Sequence, residues 1–128
     1  MERETLRNRI FTIRQPHEFN ELAVELFHYQ YEQNSVYRTY VNSIGIDHNT
    51  INAPADIPFL PVSFFKTHQV ISGDFHSECV FESSRTTGTI PSRHFIASVK
   101  LYEESFSSGF EYFYGPVSDY HIFALLPS

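Results

Sequence analysis

The residues best suited to chemistry lie in one polar stretch, where Ser83, Ser84, Thr86 and Thr87 supply four hydroxyls and Gly88 follows them. Hydroxyls and successive backbone N–H groups can wrap phosphate oxygens, and glycine lets the backbone come close. A cation must offset the phosphate charge, and Arg93 is the nearest candidate besides Arg85. The Gly-x-x-x-x-Gly-Lys-Ser/Thr spacing is absent, which excludes ATPases and GTPases of the P-loop class. On residue types alone, a solvated Ser/Thr turn is the commoner origin of such a stretch.

Other constellations carry less. Cys79 falls in an apolar segment with no adjacent base, the pattern of a buried structural cysteine rather than a nucleophile. His68, Asp74, His76, Glu78 and Cys79 follow no recognised zinc spacing. His94, next to Arg93, follows the loop closely enough to serve phosphate or substrate, with a surface position at a helix start as the alternative. Lys66, after Phe64 and Phe65, reads as a snorkelling surface lysine. The aromatic run at 110–114 reads as core or interface rather than as a ligand pocket.

The elements that must position the loop follow from periodicity. From Pro16, Phe19, Leu22, Ala23, Leu26 and Phe27 recur at three- and four-residue steps, which predicts an amphipathic helix. After a break at Gln33, Asn34 and Ser35, Val36, Tyr37, Tyr40, Val41 and Ile44 predict a second helix ending at Gly45, so that residues 16–45 form a helical hairpin. Residues 46–58 are a connector, and Pro61 opens a short helix carrying Phe64 and Phe65. Cys79, Val80 and Phe81 read as a strand running into the loop. Ser92 is expected to cap a third helix, with Phe95, Val99, Tyr102 and Phe106 along one face. Residues 120–126 read as a buried strand.

Composition bounds the function. The chain has 128 residues, enough for one compact unit, and 13 Phe and 8 Tyr that need burial. A net charge of −6 provides no footprint for nucleic acid or an anionic membrane, since Arg3, Arg7, Arg9 and Arg14 are interrupted by Glu2 and Glu4. The longest apolar run, 122–126, is far too short for a membrane span, and the opening lacks a signal-peptide core. A single cysteine fits a reducing compartment, and a cytoplasmic location is expected.

The loop Ser83-Ser84-Arg85-Thr86-Thr87-Gly88 resembles the Ser-Ser-Gly-Thr-Thr-Gly signature of the acyl-adenylate-forming superfamily. The flanks, at 57–66, 92–94, 101–106 and 123–128, are similar to segments of LuxE-type acyl-protein synthetases, in family order from about His17 onward. The resemblance implies an α+β fold: an N-terminal helical region, then over 58–128 the first strands and helices of the large mixed α/β domain of an adenylate-forming enzyme. It implies a single unit over 1–128 that is the front portion of a longer ligase. That ligase uses ATP and Mg to activate a fatty acid or other carboxylate as acyl-AMP. It then passes the acyl group to a protein thiol, or to CoA if the relative is an acyl- or aryl-CoA ligase. Ser83, Ser84, Thr86, Thr87, Gly88 and Arg93 would contact the ATP phosphates. Arg85 stands where the family loop has glycine, which predicts impaired backbone approach to phosphate. Since the adenine-binding segments, the mobile lid and the acyl acceptor of the family lie downstream, no cofactor is expected to bind tightly to residues 1–128 alone. A non-catalytic interaction module is the reading from another class. Self-association is expected if the faces meant for the remainder stay uncovered.

Overall fold

The computed structural model describes residues 3–83, 90–121, 123 and 124. Helix α1 (Arg3–Ile10) precedes α2 (Pro16–Gln33) and α3 (Ser35–Ser43). Two 3-10 turns, His48–Thr50 and Pro54–Asp56, lead to the short α4 (Phe64–Thr67). An antiparallel hairpin of β1 (Cys79–Glu82) and β2 (Arg93–Ile96) follows, and then α5 (Val99–Tyr114) with a last 3-10 turn at Val117–Asp119. The architecture is helices plus a two-stranded sheet, an α+β arrangement.

Each end of α2 has a stated cause. Pro16 occupies the first turn, where its missing N–H costs nothing. The Glu18 carboxylate reaches back and accepts the N–H groups of Arg14 (2.7 Å) and Gln15 (2.9 Å). These bonds, Arg14 first and Gln15 second, hold its pKa below the ordinary value. At the other end a single residue serves two helices. The Asn34 N–H closes α2 on the Gln30 carbonyl (2.8 Å), while its side-chain Oδ1 caps α3 by accepting the Tyr37 N–H (3.0 Å). Asn34 is buried, and its Nδ2 donates to Ser72 Oγ at 3.5 Å.

The core forms where α2 and α3 meet. Phe27, Tyr37, Val41 and Ile51 are buried together, with Tyr31, Tyr40 and Leu60 partly buried around them. The Phe27 and Tyr37 rings meet edge to face at 6.0 Å. The Tyr37 hydroxyl donates to the Pro58 carbonyl (2.6 Å), which ties the segment after the second turn to α3. Burial, and then the neighbouring Tyr40, push the Tyr37 phenol up to about 12, so it remains a donor. Gly73, at φ +79°, donates its N–H to the Gln33 carbonyl (2.8 Å), and only glycine adopts that backbone freely. Gly45, at φ +72°, takes the left-handed position after α3.

Three expectations need correction. Ser92 does not cap a helix. Residues Arg93–Ile96 pair with Cys79–Glu82 instead, in the register Cys79↔Ile96 to Glu82↔Arg93, and the cap moves to Ser98, whose Oγ accepts the Leu101 N–H (3.2 Å). Pairing satisfies the backbone of both short segments, which a helix from Ser92 would leave open along 79–82. The aromatic residues 110–114 form the last turns of α5 and are not core there, since Tyr112, Phe113 and Tyr114 are exposed. The described part of 120–126 is not a buried strand: Tyr120, His121, Phe123 and Ala124 lie outside any strand, with Phe123 94% exposed. Helix α1, held to α2 by the Arg9–Glu25 ion pair, was not signalled by periodicity because Leu6 is its one deeply buried residue.

Two outcomes test this account. Asn34→Ala removes the α3 cap and is expected to cost about 1–2 kcal/mol in urea unfolding; a loss below half of that would transfer the pivot to other contacts. For Glu18 the ionised form accepts both amides, so its stabilisation is present above the ordinary carboxylate range and is lost as pH falls through the depressed pKa. Glu18→Gln should lower the thermal midpoint at neutral pH, and the difference should fade as pH falls through the depressed pKa of Glu18. A difference that persists in acid would show that charge is not the cause.

Candidate functional site

The β1–β2 hairpin carries the candidate loop at its tip. Register places Glu82 opposite Arg93, and one step further Ser83 and Ser92 close the neck with two bonds. The Ser83 N–H donates to the Ser92 carbonyl (3.1 Å), and the Ser92 N–H donates to Ser83 Oγ (3.0 Å). Ser92 is buried, whereas Ser83 is exposed. The neck therefore fixes both ends of the loop at the same height. Ser84, Arg85, Thr86, Thr87 and Gly88 lie outside the described residues.

Of the candidate phosphate contacts, Ser83 and Arg93 are thus brought to one end of the hairpin. The Arg93 guanidinium lies 3.6 Å from the Glu82 carboxylate and 5.2 Å from the centre of the Phe95 ring. Its side chain is 54% exposed, so the charge is accessible to an incoming anion. His94, on the other face of β2, stacks on Phe65 of α4 at 4.6 Å. Phe81 contacts Tyr102 of α5 at 5.0 Å, so α4 and α5 both brace the hairpin. The Glu78 carboxylate accepts the Val99 N–H (2.7 Å), joining the base of the hairpin to the start of α5.

Cys79 is half-buried on β1. Lys66 is exposed on α4. Among the described residues no three His, Cys, Asp or Glu side chains are grouped to hold a metal ion, and no helix is long and apolar enough to cross a membrane.

Sequence reasoning missed a cavity of about 600 Å³ running beside α2. Its wall takes Phe19, Leu22, Ala23 and Leu26 from α2, Ile10 and Ile13 from the N-terminal segment, and Ile57, Phe59 and Leu60 from the segment pinned by Tyr37. Phe65 also lines it, so the residue that stacks on His94 is shared between cavity and hairpin. The polar side chains in the wall are few: Gln30, Asn34, Tyr37 and Ser72. Asn34 and Ser72 bond to each other, and the Tyr37 hydroxyl is taken by Pro58. The only signal in the sequence was an apolar stripe on α2 wider than one neighbouring helix can cover.

Comparison with known proteins places the chain in a family. No curated protein and no solved structure matches the chain. The family described as acyl-protein synthetase, LuxE, matches residues 12–125, a span that takes in the cavity-lining helix, the hairpin and its loop. The chain belongs to the LuxE acyl-protein synthetase family.

Proposed function

We propose that this chain contributes the phosphate-facing loop and the N-terminal helical part of a carboxylate-activating ligase. In the first half-reaction a fatty carboxylate oxygen attacks the α-phosphorus of ATP, the bond to the β-phosphate oxygen breaks, and pyrophosphate leaves. In the second, a protein thiol gives up its proton and attacks the acyl carbonyl, and AMP leaves. The family match across the whole hairpin and its loop is the observation that carries this reading.

The residues at the neck suit the first half-reaction. Phosphoryl-type transfer is catalysed by position and by charge stabilisation. Loop hydroxyls and amides would hold the oxygens of the leaving pyrophosphate, and Arg93 would pair with them through its planar fork. The Mg ion that accompanies ATP is held mainly by the nucleotide's own phosphates in such sites, so a dedicated cage of side chains is not required. Glu82 precedes the loop at the end of β1, and Arg93 engages it. Exposed aromatic side chains outside the cavity, Tyr112 at 83% and Phe123 at 94%, support a site completed by further residues of the ligase.

Acid-dependent ATP–pyrophosphate exchange tests the proposal. It is expected where these residues are joined to the downstream segments of the family, and not from residues 1–128 alone. Silence of the joined protein with every fatty acid would overturn adenylation. Exchange by 1–128 alone would overturn the division of the site.

In the joined protein Arg85→Gly is expected to raise exchange about five- to tenfold, because glycine at that position lets successive N–H groups approach phosphate. Thr87→Ala should lower it by removing a hydroxyl donor. A fall with Arg85→Gly, with no effect of Thr87→Ala, would make the arginine a phosphate ligand and reverse the reading of the loop.

A further inference from the structure

The cavity beside α2 has the size and chemistry of a ligand site, and nothing in the phosphate chemistry uses it. Its volume of about 600 Å³ lies within the roughly 300–1,000 Å³ typical of small-molecule sites. From Phe19 to Gln30 it follows α2 for about 17 Å at 1.5 Å per residue. Such a shape fits a long, thin and flexible guest better than a compact one. The wall is mainly aliphatic and aromatic, and of its polar side chains Asn34, Ser72 and Tyr37 are bonded to protein partners, which leaves Gln30. A guest that needs hydrogen bonds along its length would leave most of them unmade here.

The cavity also adjoins the hairpin. Phe65 forms part of its wall and stacks on His94 of β2. A guest with an apolar body and an anionic end would place the body along α2 and the end toward the hairpin. We propose that this cavity holds the alkyl tail of the carboxylate substrate, and that Ala23 and Leu26 of α2, with Phe59 opposite, set the chain length accepted. The inference rests on the acyl-activating reading for its biological meaning, whereas binding of the tail needs neither ATP nor turnover.

The experiment is a titration of the intact chain with octanoate, laurate and myristate, without nucleotide. Affinity should rise with chain length, by up to about fourfold for each methylene fully buried. Ala23→Phe, which fills the cavity from α2, should weaken laurate at least tenfold, and Phe59→Ala should weaken it severalfold. Tyr112→Ser, on the exposed aromatic face of α5, should leave laurate binding unchanged. A doxyl-labelled stearate gives a readout independent of any variant: it should broaden the methyl resonances of Leu22, Leu26 and Ile57. Binding that ignores chain length, laurate binding unaffected by a folded Ala23→Phe, or broadening centred on α5 would each overturn the proposal. The two readings fail separately. Tail binding in the cavity without exchange in the joined protein would reject adenylation alone, and exchange with no such binding would reject the cavity alone.

Discussion

Asn34 is the residue on which the arrangement turns. A helix leaves four amides and four carbonyls without partners at its ends, and here the end of α2 and the start of α3 meet at that one residue. Its backbone N–H closes the first helix, and its side chain caps the second. Because the exchange happens within one residue, α3 leaves α2 in a fixed direction, and Phe27, Tyr37 and Val41 reach one another. Tyr37 in turn holds Pro58, and the segment held there carries Ile57, Phe59 and Leu60 into the cavity wall. Each bond is modest, about 1 kcal/mol net. Together they form a sequence in which each step presents the partner for the next.

The hairpin rests on different physics. Two strands of four residues are marginal on their own, so its persistence depends on what packs against it. Phe81 and His94 are cross-strand partners on one face, where Phe65 covers His94 and Tyr102 covers Phe81. The neck is then fixed by the paired bonds of Ser83 and Ser92. The Arg93–Glu82 pair is of another kind. Both side chains are substantially exposed and 3.6 Å apart, and such pairs contribute about 0–1 kcal/mol. A phosphate accepting the guanidinium through two parallel bonds competes easily with that contact. Glu82 therefore keeps the arginine oriented near the loop without holding it against an anion.

How far the sequence could be read depended on whether local or distant contacts decide. The stripe of Leu22, Ala23, Leu26 and Phe27 has helical period whatever surrounds it, and α2 forms there. Phe95 is ambiguous, because it continues the face of Val99 and Tyr102 and equally suits a strand. Pairing of Val80 with Phe95 across a loop settles it, and that contact is invisible to a short window. The apolar residues at 120–126 resemble a strand, yet the sheet among the described residues has only two members, neither of them paired with that segment. The hydroxyl loop was legible by type and spacing. The cavity was not, since an apolar residue has the same periodicity whether it touches a neighbour or lines a void.

That last ambiguity bears on function. If the α2 stripe were ordinary core, its larger side chains would be fully covered, as Phe27 and Val41 are. Phe19 is instead 54% exposed and Phe59 is 80% exposed, although both face a concave apolar space. Such surface stays wet at a cost that rises with its area, and an apolar guest entering it recovers that cost. The charge pattern then orients the guest. The chain carries a net −6, yet the loop end of the hairpin presents the exposed Arg93, so an anionic head group is drawn to that end and not to the acidic remainder of the surface. Tail and phosphate demands are opposite, one requiring a dry aliphatic wall and the other donors and a cation. The structure separates them, with the apolar wall along α2 and Arg93 on the face of β2 opposite the Phe65–His94 stack.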